Sequence, residues 1–492
     1  MKFAAVRIFI AAAIVASFVG ACLTPKTVQA QSSGLIYVVQ KDDTLYSISQ
    51  YFHTSTLRIQ LTNYLTDADV INPGKRLIIP GFNDLSGTLT PVKIGIGDTA
   101  LSLMRQSRSN SASFTRINFL TSASAIVVGQ KLFTISKEAS NNIRVPVTDS
   151  GLTGLELAAK NNTNPWTMAE YNATIGPWYL IPNDILFLPS SSGSSSNEIL
   201  PGVEEITATG LSQGKTLALI AKGSGAAAMA GNLNFTVTDI SKEQEEQNAT
   251  PPVVSAIAPT KNLAAPLTFF QQTDGSAEAL QGVPRMSVPG AATLTLTTKD
   301  SDGHSYSIDQ NLMIKAMDYG FDSPMQVSDN VIDPKVTEPE DAFVFNLVAP
   351  FTETKLWNGA FTPPTTTPTC LTDTFGRLRS FNQSNWIYYH SGFDFCGGNG
   401  DKIFAAADGT VIYTGELTVR GNATIIDHGH GLYTGYYHQS KIEVSKGQKV
   451  TAGQEIGLIG STGRVTGPHL HLDVFVGGVQ VDPTEWLNGT IP

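Results

Sequence analysis

The sequence predicts a multidomain, mostly β protein: small α+β modules, then a β-sandwich, then a second β-rich domain. Three observations carry that prediction. A strand, two helices and a strand fit Tyr37 to Pro80, and weaker copies of the pattern follow. Alternating runs such as Ala292-Thr-Leu-Thr-Leu-Thr-Thr298 are broken by Asp-Gly turns between about 200 and 348. After Ile403, short apolar runs alternate with Asp408-Gly409, Gly429 to Gly431, Gly447, Gly453 and Gly463, which leaves little room for helices. With 492 residues, 41% of them hydrophobic, the chain can fill several cores.

The chain opens with Lys2 and Arg7 ahead of an apolar run from Ile8 to about Ala21, the layout of a secretory signal peptide and too short for a comfortable membrane span. Residues 1–30 are read as that signal. Two processing readings stay open: cleavage after Val28-Gln-Ala30, and lipidation at Cys22 of Val19-Gly-Ala-Cys22. Either way the protein is expected outside the cytoplasm, secreted or wall-associated, with no later transmembrane candidate. The net charge of −10 and the lack of clustered Lys and Arg argue against a nucleic-acid partner.

From Tyr37 the chain reads Tyr-Val-Val-Gln-Lys-Asp-Asp-Thr-Leu-Tyr-Ser-Ile, with Leu45, Ile48 and Phe52 at helical spacing, and closes on Ile71-Asn-Pro-Gly-Lys-Arg-Leu-Ile-Ile-Pro80. This βααβ stretch (35–81) resembles a LysM domain, a module that binds N-acetylglucosamine-containing glycans. The resemblance implies glycan contacts near Asp43, Thr44, Asn72 and Gly74. A second copy (91–136) keeps Gly97-Asp-Thr99 and Val128-Gly-Gln-Lys-Leu132, and a third (145–190) keeps Asn164-Pro-Trp166, Tyr171-Asn172 and Ile181 to Leu188 but loses the opening Gly-Asp-Thr. Repeated modules raise effective concentration without new contacts; the later two read equally as binders or as spacers.

Residues 191–199, almost wholly Ser and Gly at their start, form a linker. The alternating region 200–348 predicts an antiparallel, immunoglobulin-like sandwich that carries no chemical constellation. His304, in Ser-Asp-Gly-His, is read as a solvated turn residue, and Asp300 and Asp302 as turn formers, which explains them more simply than the alternative of calcium binding. Residues 349–374 form a connector with the stiff Thr/Pro run Pro363 to Thr369, leading into the last domain, 375–492.

That domain holds six of the eight histidines. His469 and His471 lie two apart in an apolar strand, so both imidazoles face one side. His390 and Asp394, around Gly392 and Phe393, can bring a nitrogen and an oxygen to the same ion. Three protein ligands with one position left for water describe a catalytic zinc site, and three cysteines are too few for a thiolate site. His428 and His430 sit among glycines in a hairpin turn and are read as turn residues.

The segments His390-x-Gly-x-Asp394, Ala405-Ala-Ala-Asp-Gly409, Ile426-Asp-His-Gly-His-Gly431, Tyr436-x-His438, Gly457-Leu-Ile-Gly-Ser-Thr-Gly463 and Gly467-Pro-His-Leu-His471 together resemble the M23 zinc metallopeptidases, the lysostaphin- or LytM-like peptidoglycan endopeptidases. The resemblance implies Zn²⁺ held by His390, Asp394 and His471, with His438 and His469 as the catalytic pair; which of the two moves the proton stays open. Gln439 stands where the family often has Leu, and His430 where it often has Asn. Cys370 and Cys396 remain as a pair once Cys22 is removed or lipidated, and in an oxidising compartment they read as a disulfide bracing this site, or as two free thiols. Arg377 and Arg379 read as surface residues or as contacts for substrate carboxylates. The expected function is an exported zinc endopeptidase cutting peptidoglycan cross-link peptides, anchored to glycan by its repeats. A non-catalytic, LysM-anchored regulator of another wall hydrolase is the alternative, and cleavage of a protein substrate is a third.

Overall fold

The computed structural model describes residues 34–66, 71–107, 109–122, 125–136, 142–147, 153–174, 176, 180–189, 198–238, 260–328, 332–382 and 388–490. The signal segment, Cys22 and most of the Ser/Gly linker lie outside the described residues. The chain divides into two compact units, residues 1–90 with 135–137, and residues 91–134 with 138–492.

The first unit contains strand β1 (Leu35–Val38), helices α1 (Leu45–Tyr51) and α2 (Thr56–Thr62), strand β2 (Arg76–Ile78) and the start of β3 (Gly87–Lys93). β1 pairs antiparallel with β2 and parallel with β3. Helix α1 starts where Thr44 and Ser47 cap each other, and the helix buries Leu45 and Ile48. Asn63 fastens the unit: its side chain accepts from the Ile78 N–H (2.6 Å) and donates to the Ile78 and Ile59 carbonyls (both 2.8 Å).

The second unit repeats this device twice. Helices α3 (Ala100–Ser107) and α4 (Ser111–Ile117) precede β4 (Lys131–Ser136), and Asn118 clasps Phe133 as Asn63 clasps Ile78. Strand β5 (Asn142–Pro146), α5 (Gly154–Lys160), α6 (Pro165–Tyr171) and β6 (Ile185–Pro189) follow, and Asn172 clasps Phe187. In each case the next residue, Tyr64, Phe119 or Ala173, takes a left-handed backbone with φ near +52°. The same asparagine at the same offset three times marks one βααβ fold in triplicate.

Two four-stranded sheets come next. β7 (Glu205–Thr209), β8 (Thr216–Lys222), β11 (Phe270–Gln271) and β12 (Ala277–Gly282) form one; β9 (Ala230–Thr238), β10 (Thr260–Thr268), β13 (Gly290–Lys299) and β14 (Ser305–Ile314) form the other. Leu217, Leu219, Leu233, Phe235, Leu294, Leu296 and Leu312, from both sheets, make their shared core, so this is a sandwich. His304 is held in its turn by the Asp300 carboxylate, 3.1 Å from Nδ1, rather than free in solvent, because the tight turn brings i and i+4 together.

The sandwich strands end at Ile314, and residues 334–347, expected among β-strands, form helix α7 (Pro334–Leu347). Asp333 caps it and Pro334 occupies its first turn, where a missing N–H costs nothing. Its apolar residues Val344, Leu347 and Val348 pack against Ala423, Ile425, Tyr433, Tyr437 and Phe475 of the final sheet.

That sheet is built from β15 (Leu371–Asp373), a β16 (Leu378–Arg379) and β17 (Tyr388–Tyr389) hairpin beside it, β18 (Phe393–Cys396), β19 (Lys402–Phe404), β20 (Gly409–Leu417), β21 (Gly421–Gly429), β22 (Leu432–Ile442), β23 (Lys449–Val450), β24 (Glu455–Ile459), β25 (His469–Val476) and β26 (Val479–Val481). A four-residue helix, α8 (Thr484–Leu487), closes the chain and buries Trp486 against Trp357 and Phe361. The main path runs β15-β18-β25-β22-β21-β20-β23. Cys370 and Cys396 are joined by a disulfide, Cα atoms 5.4 Å apart, at the start of β15 and the end of β18. No helix among the described residues is long and apolar enough to cross a membrane.

Candidate active site

Register places the chemistry. β18 and β25 run antiparallel with Asp394 directly opposite His471 and Cys396 opposite His469. β22 flanks β25 on its other side with Tyr437 opposite His471. His390 enters from the β16–β17 hairpin, its N–H on the Arg377 carbonyl and its own carbonyl on the Gly376 N–H. Gly392 lies so close to β25 that a Cβ there would collide with the Leu472 carbonyl, which explains the glycine between His390 and Asp394.

Three ligand atoms converge. His390 Nε2 lies 3.0 Å from Asp394 Oδ1 and 3.0 Å from His471 Nδ1, and His471 Nδ1 lies 2.7 Å from Asp394 Oδ1. All three residues are buried. Two imidazole lone pairs and a carboxylate oxygen repel one another unless positive charge lies between them, so the donor set fits a cation, and two nitrogens with one oxygen suit zinc.

The outer nitrogens are occupied, which assigns each tautomer. His390 Nδ1 donates to the Thr374 carbonyl (3.0 Å), and His471 Nε2 donates to Asp473 Oδ1 (2.7 Å). Asp473 is fully buried, and its second oxygen accepts from Gln480 Nε2 (2.9 Å). The sequence reading missed Asp473. The signal was present: it stands two residues beyond His471 on the same strand face.

His438 and His469 complete the cluster, their rings 4.9 Å apart. His438 sits in a bulge, because Thr424 faces Tyr436 and Asn422 faces Gln439, leaving Tyr437 and His438 opposite Ala423. Its φ is +63°, and its Nδ1 donates to the Thr462 carbonyl (2.8 Å), so Nε2 is the free nitrogen. The buried Gln439 amide steadies this bulge by donating to Thr424 Oγ1 and the Tyr436 carbonyl, both 2.9 Å away. His469 Nδ1 likewise donates to the Gly467 carbonyl (2.9 Å), and its Nε2 lies 3.6 Å from Asp394 Oδ1.

Electrostatics follow from burial and carboxylates. Burial alone would raise the Asp394 pKa, but His390 and His471 outweigh it and hold it well below the usual range. Burial lowers that of His390 against the pull of Asp394. For His471 burial is outweighed by Asp473 and Asp394, which push it up to about 9. Burial, then the neighbouring His471 and His469, push His438 down to about 3.

The remaining sequence candidates fall elsewhere. Arg379 is mostly buried and bonds Asp322 and Asp373, with Asp394 at 3.5 Å, while Arg377 pairs with Asp322; neither is a free surface cation, because three aspartates meet there. His428 is buried in structure, Nδ1 donating to the Asp408 carbonyl and Nε2 beside Thr434 Oγ1, both at 2.7 Å. His430 stacks on Phe270, ring centroids 4.0 Å apart. In the first repeat Asp43 accepts from Tyr37 Oη (2.5 Å) and the Gln40 N–H (2.7 Å), Thr44 caps α1, and Asn72 and Gly74 form the turn before β2.

A half-polar cleft of about 190 Å³ exposes this cluster, with the ring of Phe381, Arg464 and residues of α7 on its walls. A β-sheet domain with a three-ligand cation site open to a cleft is the class this geometry defines. Residues 388–483 match the sequence model of Peptidase family M23, and residues 37–80 that of the LysM domain, so the chain carries an M23 peptidase domain and a LysM domain. It is 48% identical over 93 residues to the peptidoglycan DD-endopeptidase ShyA of Vibrio cholerae, a match covering 19% of this chain and 22% of that protein. It is 40% identical over 94 residues to the DD-carboxypeptidase/endopeptidase Mpg of Neisseria meningitidis, covering 19% and 22%. The chain thus spans about a fifth of the length of the curated relatives it matches. Among solved structures, a putative M23 peptidase from Pseudomonas aeruginosa matches at 27% identity and a TM-score of 0.35, covering 46% of this chain and 86% of that one.

Proposed function

We propose that the protein is an extracytoplasmic zinc endopeptidase that hydrolyses peptide cross-links of peptidoglycan, held on glycan by its first LysM repeat. The observation that carries this reading is the convergence of His390, Asp394 and His471, whose ligand atoms lie within 4.8 Å of one another, beside His438 and His469 in one cleft. Their M23 context and the DD-endopeptidase relatives support the substrate class.

Zinc held by His390 Nε2, Asp394 Oδ1 and His471 Nδ1 would supply a Lewis acid and make water nucleophilic near neutral pH. Thr374 and Asp473 keep the two ligating imidazoles in the tautomers that present lone pairs inward. His438 and His469, with Nδ1–H groups tied to the Thr462 and Gly467 carbonyls, turn Nε2 into the cleft. One accepts a proton from water and returns it to the departing amine; the other donates to the developing oxyanion once protonated.

Digestion of purified peptidoglycan by zinc-loaded full chain, with His469→Ala alongside and fragments read by mass spectrometry, tests this. New peptide ends from the wild type, lost by a factor of ~10² or more in the variant, are expected. No new ends from a zinc-loaded, folded chain would refute the peptidase and leave the regulatory alternative.

A further inference from the structure

The turn between β20 and β21 contains a carboxylate-binding cradle that borders the cleft. The backbone N–H groups of Val419 and Arg420 point at one carboxylate, at 2.8 and 3.1 Å, and the Arg420 guanidinium closes on the same group at 3.0 Å. Adjacent backbone N–H groups plus a guanidinium make a typical anion site. The carboxylate in it is the chain's own Glu340, on α7, buried to 8% exposure. Asp341, half-exposed, takes the second face of the guanidinium at 2.8 Å.

This cradle adjoins the chemistry. The Arg420 carbonyl accepts from the His438 N–H at 3.0 Å. The Arg420 guanidinium lies over the Tyr437 ring, 5.6 Å from its centroid, and that ring stacks on His471 at 5.7 Å. Val419, Arg420 and Asp341 line the same cleft as His438, His469 and His471.

The helix that fills the cradle is anchored by apolar packing that does not depend on the carboxylate. Pro339, immediately before Glu340, lacks an N–H and interrupts the helical ladder. Val344 and Val348 are fully buried and follow Glu340 on the same side of Pro339, so the helix stays packed and it is the Glu340 side chain alone that a competing carboxylate displaces.

Building on the peptidase reading above, we infer that the Val419–Arg420 cradle is a subsite for a free carboxylate of the substrate peptide, and that Glu340 occupies it as a tethered surrogate. Substrate with a free carboxylate competes with Glu340; substrate whose carboxylate is amidated does not.

Binding, read without catalysis, separates this from the peptidase reading. Full chain carrying His469→Ala is titrated calorimetrically with N-acetyl-D-alanyl-D-alanine and with its carboxamide, with and without Glu340→Ala. The added Glu340→Ala change is expected to tighten binding of the acid tenfold or more and to leave the carboxamide at least tenfold weaker than the acid. Adding Arg420→Ala removes that preference. Should Glu340→Ala melt early, Glu340→Gln, which keeps the volume and removes the charge, is read instead. Equal affinity for acid and carboxamide, or no gain over the parent in a folded variant, overturns the proposal and makes Glu340–Arg420 a structural ion pair. A preserved acid preference in a chain that cleaves no wall peptide keeps the subsite and removes only the peptidase.

Discussion

The first repeat and the final sheet bury polar side chains to opposite ends. In the repeat, the half-buried Asn63 amide is closed on protein partners: one N–H donor and two carbonyls from Ile78 and Ile59. The same closure recurs at Asn118 and Asn172. In the sheet, His390, Asp394 and His471 are closed on their outer atoms only, and their inner atoms crowd one point. A buried polar network with every partner supplied is scaffold, whereas one whose lone pairs converge is poised for a cation from outside. The repeat leaves its apolar surplus on the surface instead, with Tyr46, Leu57, Leu61 and Tyr64 exposed.

The contrast predicts that perturbations act on one region and spare the other. The largest expected effect is reduction of Cys370–Cys396, which closes 26 residues of chain around the strand carrying Asp394. Its loss should cost about 3.5 kcal/mol in the loop-closure account. Denaturation followed by the fluorescence of the Trp357–Trp486 pair should shift with reductant, while hydrogen exchange in the first repeat stays unchanged; a shift in both would dissolve the contrast.

Acid should come next. Burial pushes the His428 pKa down to about 4, so the folded sheet keeps this imidazole neutral while the unfolded chain charges it near 6.5. The unfolded state therefore binds the extra proton, and stability is complete above about pH 6.5 and falls as the pH drops to about 4, by about 3 kcal/mol from this group. Denaturant midpoints across that window should fall with pH and flatten in His428→Asn.

The smallest effect sharpens the repeat's side. Asn63→Ala leaves the Ile78 N–H and carbonyl without their partner and should lower protection of the first repeat by about 2 kcal/mol. Exchange at the Ile78 amide measures it, with the β25 amides as the unaffected reference. Equal loss in both would mean the two units unfold as one.

Much of the site was legible because it rests on short-range rules. His469 and His471 share a face by the two-residue period of a strand, and His390 and Asp394 share a loop whose glycine permits close approach. The first repeat was legible from its turn residues, and the sandwich from alternation in β13. Other features were not. His438 reaches the cleft through a bulge that strict alternation does not foresee. Helix α7 was hidden inside a stretch read as β because its cue, Asp333 before Pro334, is brief and Pro339 interrupts its pattern.

By itself, then, the sequence determined which side chains are the candidates for the chemistry and which short segments hold them, since period, capping and turn geometry act over a few residues. Only the tertiary structure decided that Asp394 faces His471 across 77 residues, that Asp473 steadies that histidine, and that Glu340 rests in the Val419–Arg420 cradle from 79 residues away. Those pairings depend on which strand faces are buried and on what register that burial imposes, and no local pattern records either.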